Sequence, residues 1–339
     1  MSELQPIPQP FVTRRQAMAR AARWSGASWL AASGLSALGC QRGGNSSGGA
    51  GSTLQLNWYP DAQHGGFYAA DTLGLFREAG LSIKIAPGGP SITSLNKLVL
   101  KQVDYAIANA DQILLARAQQ ADIVAVFAAL QQSPRCVMVH AASGIETWDQ
   151  LNDVVLAIGE GQPFAEYLKQ RIPLRNVRIV PYTGDISAWT LDPRYAQQAY
   201  SFTEPLLATQ RGGDPRVLMV SDLGYNPYTS VVVVRRSMWQ DQQAEVEKAV
   251  RAIRAGWQRY LQDPAATNDV IHQVNATVDR ELLAKSVDAI RPLCLAGLAG
   301  EDQLGTMTTE RWATLHQQLL DLKMLDRAEP DINRVFVSV

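Results

Sequence analysis

Residues 57–66 read N-W-Y-P-D-A-Q-H-G-G. They follow an apolar, strand-like run, Leu54-Gln55-Leu56, and precede a helix-like run over 67–79. In an open α/β sheet, ligands sit where strands end and helices begin. This junction gathers an indole, a phenol, an imidazole and two amides, a set suited to a small planar ligand. Pro60 shapes the turn, and the Gly65-Gly66 pair lets a ligand approach backbone N–H groups closely. Two blander readings stand beside this one: Trp58 as a core residue, and His64 as a satisfied residue at a helix start. Taken alone, Trp58 reads as core. The cluster as a whole reads as a binding site.

Outward from this stretch, strand-like and helix-like runs alternate. A strand over 81–86 is broken by Pro87-Gly88-Gly89-Pro90, and Ser91 can cap a helix over 92–101. A strand over 103–108 leads into Asn109-Ala110-Asp111 and a helix over 112–119. Buried strands are expected over 123–130 and 136–140. A second unit begins near Thr147, with a strand over 154–158 and the turn Gly159-Glu160-Gly161-Gln162-Pro163. Pro163 suits a first helical turn, and the helix continues over 164–171. Strands over 177–180 and 196–202 follow. The second of these ends at Thr203-Glu204-Pro205, before a helix over 206–211. A strand over 217–220 precedes the polar-aromatic loop Gly224-Tyr225-Asn226-Pro227-Tyr228. The run 229–234, T-S-V-V-V-V, is expected deep in a sheet. From Ser237 the chain is mainly helical: 239–262, a restart after Pro264, then 281–290 and 310–323.

Strands alternating with helices argue for parallel α/β sheets. A closing helical block after two α/β units implies that the chain crosses back to support the first. The runs 137–140 and 229–234 are the candidate crossing strands. Two connections make a hinge, and ligands then bind between the lobes. The expected division is 54–136 plus 235–339 for one lobe and 137–234, with the hinge strands, for the other.

Composition narrows the chemistry. With 31 basic and 32 acidic residues in 339, the formal net charge of -1 gives no reason to expect nucleic acid as a partner. Three cysteines do not make a disulfide scaffold, although Cys136 and Cys294 are a possible pair in an oxidising space. Four scattered histidines lack metal-ligand spacing, and neither a P-loop, a G-x-G-x-x-G nor a G-x-S-x-G elbow appears. Metal, nucleotide and catalytic-triad readings therefore have no carrier. Glu204, at a strand's end, can accept hydrogen bonds from a ligand amine or ring N–H, or serve as a charge at a helix start. Glu160 is equally open. The turn of Gly159, Glu160, Gly161 and Gln162 can present N–H groups to a polar or anionic tail.

The N-terminus reads as an export signal over 1–39. Arg14-Arg15 stand in T-R-R-Q-A-M, and a short apolar run ends at Ala37-Leu38-Gly39-Cys40. Ala17 occupies the place where a twin-arginine signal favours Phe, and Ala37 the place where a lipobox favours Leu. Cys40 would carry lipid, and the Gly/Ser-rich stretch 41–53 would be a flexible tether. The other reading is a plain N-terminal anchor or tail.

At this point a family resemblance is visible. The motif Q-H-G-G-F-Y-A-A, followed by L-G-L-F-R-E-A-G-L and P-G-G-P, resembles the SsuA/THI5-like (NMT1) family. The match is strong over 54–134 and weaker over 145–234. That family includes solute-binding lipoproteins of ABC importers and fungal synthases of the thiamine pyrimidine. The resemblance implies a type II periplasmic-binding fold: two α/β lobes, two hinge strands and a closing cleft. It also implies a monomer that is lipid-anchored outside the cytoplasm and delivers to an ABC permease. The opening motif is most similar to binders of thiamine-pyrimidine or riboflavin-type heteroaromatics. Trp58 with Tyr59 or Tyr200 would stack on the ring. Asn57, His64, Asn109 and Glu204 would bond its edge, and the turn at Glu160, Gly161 and Gln162 would hold a polar tail. A sulfonate or other anion is the second possibility, weakened by the lack of an arginine at these junctions. The family's synthases hold pyridoxal phosphate on a lysine, with a histidine four residues later. Ala108 and Gln112 stand at those positions here, and residues 226–230 replace a cysteine-rich run. No enzyme chemistry and no cofactor is therefore expected.

Anchoring gives the first test. One acyl chain holds a protein at a bilayer only marginally, so stable retention takes at least two. Wild type should partition with membranes and Cys40→Ser with the soluble or unprocessed fraction. Equal retention of both on fractionation would contradict lipid attachment at Cys40.

Overall fold

The computed structural model describes residues 51–90, 92–326 and 331–339. The Arg14-Arg15 pair, Cys40, the Ser91 cap and the tether as far as Ala50 lie outside the described residues. Ten strands run β1 (Ser52–Gln55), β2 (Ile83–Ala86), β3 (Tyr105–Ala108), β4 (Ile123–Leu130), β5 (Arg135–His140), β6 (Val155–Ile158), β7 (Arg178–Pro181), β8 (Tyr195–Tyr200), β9 (Pro215–Met219) and β10 (Thr229–Arg235). They form two five-stranded sheets, ordered β2-β1-β3-β10-β4 and β7-β6-β8-β5-β9. The two orders are the same pattern. In each, three neighbouring strands are parallel, and one antiparallel strand, β10 or β5, is inserted beside the third.

The chain crosses between sheets twice, through residues 131–134 and 220–228. The runs 137–140 and 229–234, expected to be the crossings, are inner strands that begin just after them. Residues 229–234, grouped with the second lobe in the sequence reading, hydrogen-bond to β3 and β4 of the first sheet. Their continuous β-branched run fits a strand buried on both faces, and Val231 to Val234 are fully buried. The crossings are tied to one another: Gln132 Nε2 donates to Ser221 Oγ at 3.0 Å, and Ser133 N–H to Asn226 Oδ1 at 2.7 Å.

Twelve helices are described. They are α1 (Gly65–Thr72), α2 (Leu75–Glu78), α3 (Ser94–Val99), α4 (Ala110–Ala118), α5 (Pro163–Arg171), α6 (Ser187–Leu191), α7 (Glu204–Gln210), α8 (Arg236–Asp241), α9 (Gln243–Gln262), α10 (Ala265–Val274), α11 (Arg280–Leu295) and α12 (Thr309–Asp321). The run 67–79 is two helices because Gly74, at φ 76°, breaks it. The run 239–262 is likewise broken, at Gln242. Helix α6 was not anticipated, and its buried Trp189 covers the outer face of the second sheet with Cys136, Met138 and Ala208. The C-terminal helices do return to the first sheet. Helices α9 and α11 pack with α1 on one face, and α12 packs with α4 on the other. The open edge of β4 is covered by the C-terminal segment, with Ala125 N–H donating to Val335 C=O and Val337 N–H to Ala125 C=O. Cys136 and Cys294 are both free and buried in separate clusters, so the possible disulfide is not made. Among the described residues, no helix is long and apolar enough to cross a membrane.

The Gly65-Gly66 pair serves this packing rather than a ligand. A β-carbon on Gly65 would fall 1.9 Å from the Tyr260 ring, and one on Gly66 2.0 Å from the Trp257 indole. Gly256 faces them, and its β-carbon would meet the Gly66 carbonyl oxygen at 2.3 Å. Backbone-to-backbone approach between α1 and α9 therefore depends on glycine at both sides. Gly256→Ala gains helix propensity of about 1 kcal/mol but must part the helices, at the ~1–3 kcal/mol typical of overpacking. A lower urea midpoint is expected. An unchanged or raised midpoint would contradict this close packing.

Candidate functional site

Each sheet reverses its strand order beside its first parallel strand, at β1 and β3 in one lobe and at β6 and β8 in the other. Such switch points leave a crevice at the strands' carboxyl ends. Every candidate chosen from the sequence lies there. Asn57, Trp58, Tyr59 and His64 follow β1, and Asn109 follows β3. Glu160, Gly161 and Gln162 follow β6, while Tyr200 ends β8 with Glu204 just beyond.

The first junction is built against its own lobe. Asn57 Oδ1 lies 3.0 Å from Nε2 of the fully buried His64. His64 Nδ1 is 3.3 Å from Asp61 Oδ1, outside hydrogen-bonding geometry. Asp61 accepts both the N–H and the side-chain amide of Gln63. His64 is thus a buried strut that shapes the loop. Trp58 is only half-buried, so its reading as core does not hold. Tyr59 is 50% exposed, and its ring meets Trp58 edge-on at a centroid distance of 5.6 Å. The P-G-G-P loop supports this pair. Gly88 N–H donates to Trp58 C=O at 3.0 Å, and a β-carbon at Gly88 would fall 2.5 Å from Trp58 N. Two aromatic faces are thereby presented beside the end of β1 without filling the core.

The lobes meet through Asn109 and Tyr200. Asn109 starts α4, where its N–H donates to Gln112 Oε1 at 3.0 Å. Its Nδ2 donates across the cleft to Tyr200 OH at 3.2 Å. Asn109 is 8% exposed, and its Oδ1 has no partner. Tyr200 OH also receives Arg135 Nη2, at 3.4 Å. The Arg135 guanidinium carbon lies 4.2 Å from the Phe164 ring centroid and 5.1 Å from that of Tyr200. Contacts of this kind hold a guanidinium in place while leaving most of its N–H donors free. No carboxylate pairs with Arg135 among the described residues, and its single side-chain hydrogen bond is the long one to Tyr200.

Two acids lie near this cation, each already engaged. Asp111 receives Tyr225 OH at 2.9 Å and Gln112 N–H at 2.8 Å. Burial raises its carboxyl above the usual range, opposed first by the charge of Arg135. Glu204 receives Tyr182 OH at 2.9 Å and Tyr200 N–H at 2.8 Å. Burial raises Glu204 as well, with these bonds opposing and the Asp61 carboxylate adding to the rise. Both oxygens of Glu204 are used to fix Tyr200 and Tyr182, so it orients the site more than it offers a free acceptor. Glu160, Gly161 and Gln162 are exposed. Their turn is held by Gly159 N–H donating to Gln198 Oε1 at 2.6 Å.

Sequence reasoning missed Arg135 and Ser230. Arg135 stands before a strand, which in a purely parallel sheet is the end away from the crevice. Because β5 is antiparallel, its start pairs with the end of β8, Arg135 opposite Tyr200. The arginine judged absent is thus at the centre. Ser230 begins β10 in the same way beside β3. It is fully buried at φ 53°, a left-handed conformation that costs a non-glycine residue on the order of 1–3 kcal/mol. No pattern short of the β10 register signals it.

The chain matches the family model described as NMT1/THI5 like over residues 61–267, more than half its length. No curated protein matches its sequence. Among solved structures it is similar to the periplasmic aliphatic sulphonate-binding protein SsuA of Escherichia coli. The TM-score is 0.66 at 14% identity, over 84% of this chain and 92% of that one. The alkanesulfonate-binding SsuA of Xanthomonas axonopodis pv. citri, bound to MOPS, matches at TM-score 0.63 and 13% identity, over 86% and 100%. A DSZB mutant in complex with biphenyl-2-sulfinic acid matches at TM-score 0.57 and 14% identity, over 84% and 96%. Identities this low speak for the fold, and the fold they share is the two-lobed arrangement of paired switch points described above. By its sequence match and its architecture together, this chain is a member of the NMT1/THI5-like family with a type II periplasmic-binding fold.

Proposed function

We propose that this protein is the extracytoplasmic solute-binding component of an ABC importer, held at the membrane by lipid on Cys40. Its ligand is a small, planar nitrogen heteroaromatic that carries an acidic group, and its permease receives the solute from the closed cleft. The observation that carries this reading is Arg135, held over Phe164 and Tyr200 between the lobes with most of its donors free. A planar guanidinium so placed suits a carboxylate or sulfonate bound through paired N–H donors. Trp58 and Tyr59 supply faces for the ring, as flat π-systems favour. The exposed turn at Glu160, Gly161 and Gln162 faces a polar tail. The family resemblance favours the ring of a thiamine-pyrimidine precursor or of a riboflavin-like compound, and Arg135 adds an acidic substituent that these rings alone lack.

A plain sulfonate is the second reading, and Arg135 is the feature that favours it. The sulphonate- and alkanesulfonate-binding proteins of similar fold add to it. A synthase reading gains nothing from the matched positions. Ala108 is buried at the end of β3, and Gln112 spends its carbonyl on the Asn109 N–H. Neither can form a Schiff base with pyridoxal phosphate. Asn57, His64 and Glu204, first read as direct ligand contacts, act here as supports that set Trp58 and Tyr200.

Mass spectrometry of small molecules released from denatured, freshly purified protein tests the ligand class. An aromatic nitrogen heterocycle with an acidic group is expected. An aliphatic sulfonate would select the second reading. For the released compound, Arg135→Gln should lose about 1.5–3 kcal/mol of binding, roughly 10- to 100-fold in Kd by calorimetric titration. Unchanged affinity would remove Arg135 from the site.

A further inference from the structure

Several regions offer themselves beyond the Arg135 centre. A groove of about 400 Å³ beside β2, lined by Tyr68, Asp71, Lys84 and Val274 among others, has nothing to indicate an occupant. The His140–Trp189 stack, with centroids 3.8 Å apart, lies against the second lobe's own small core. The start of β10 carries more.

In register, Val231 pairs with Ala108, so the next residues along the two strands are Ser230 and Asn109. The ladder does not continue there. Ala110 N–H donates at 3.0 Å to Tyr228 C=O, one residue out of the register that Val231 and Ala108 set. This is a bulge, with Thr229 and Ser230 opposite Asn109, and Ser230 is held in a left-handed conformation that non-glycine residues rarely adopt. Among the described residues six other non-glycine positions have positive φ, and of these seven Ser230 alone is buried. Bulges of this kind re-aim a side chain beside a site. Ser230 Oγ has no hydrogen-bond partner and is fully buried, and Asn109 Oδ1 has none and is 8% exposed. Two polar atoms without partners, on residues that follow the Val231–Ala108 pair on the two strands, are costly in a buried place unless something else bonds them. Asn109 uses its amide N–H on Tyr200, so its free atom is an acceptor. The Ser230 hydroxyl is a donor whose proton is uncommitted.

We infer that Asn109 Oδ1 and Ser230 Oγ are a specificity-determining pair that bonds the adjacent donor and acceptor of a ring edge. A lactam or aminopyrimidine edge, N–H beside C=O or ring nitrogen, has this pattern. The inference rests on the proposed planar, acidic solute and names the edge that faces away from Arg135. A ring without the edge leaves both atoms unbonded, and discrimination follows from that penalty more than from attraction.

The test uses two acidic, planar probes on the ligand-free full chain. Uracil-6-carboxylate carries the edge, and benzoate does not. Wild type should bind uracil-6-carboxylate at least about tenfold more tightly than benzoate in calorimetric titration. Ser230→Ala removes the hydroxyl. Ser230→Gly removes it and also relieves the left-handed backbone, so it should melt no lower than wild type. Both variants should lose the preference, chiefly because benzoate, no longer leaving a buried hydroxyl unbonded, binds them more tightly than it binds wild type. Preference retained in both variants, or equal binding of the two probes by wild type, would overturn the pair while leaving the acidic-solute reading intact. Binding of neither probe by wild type would overturn that reading and the pair with it.

Discussion

Each sheet takes in, beside its third parallel strand, the strand that follows a crossing from the other lobe. β10 enters the first sheet from the second crossing, and β5 enters the second sheet from the first. The first sheet does not reach its full width until the chain has crossed out and back, whereas the second is built from the continuous stretch 135–219, so the lobes have two connections. The inserted strands run antiparallel to their neighbours. Their first residues therefore fall at the carboxyl ends of the parallel strands, where the crevice lies. That constraint puts Arg135 opposite Tyr200 and brings Ser230 beside Asn109. The covalent path of the hinge and the chemistry of the cleft have the same origin.

Much of this was legible in the sequence. The apolar run 123–130 became β4 with the same bounds and complete burial. Asn109 and Glu204 were placed after strands by alternation, Tyr200 within a strand and named through the family resemblance, and the structure brings the three together. What failed depended on long-range partners. The Gly65-Gly66 pair looked like room for a ligand until Trp257 and Tyr260, nearly 200 residues away, filled it. Trp58 looked like core because an indole usually is, yet the P-G-G-P loop lifts it to the rim. Arg135 was overlooked because strand direction cannot be read from a single run of apolar residues. Cys136 and Cys294 were a fair pair by count, but the sheets separate their clusters.

Electrostatics give the cleft its direction. One cation, Arg135, stands near two carboxyls that burial raises and that neighbouring hydroxyls and N–H groups already satisfy. Asp111 and Glu204 therefore hold scaffolding, the first tied to the second crossing through Tyr225 and the second to the backbone of Tyr200. The guanidinium keeps its free donors for something brought in. A solute that takes them also bridges the lobes, because Arg135 belongs to β5 and Asn109 to the helix after β3. On the proposed reading binding and closure are one event, since the groups proposed to meet the ligand come from both sides of the hinge.

That coupling is open to direct measurement. Small-angle scattering on the protein stripped of its solute, and again after the solute released from it is restored to saturation, reports the separation of the lobes. The account predicts a smaller radius of gyration with solute bound, because the Asn109–Tyr200 contact forms only when the lobes meet. The same radius in both states, with occupancy verified, would contradict capture by closure.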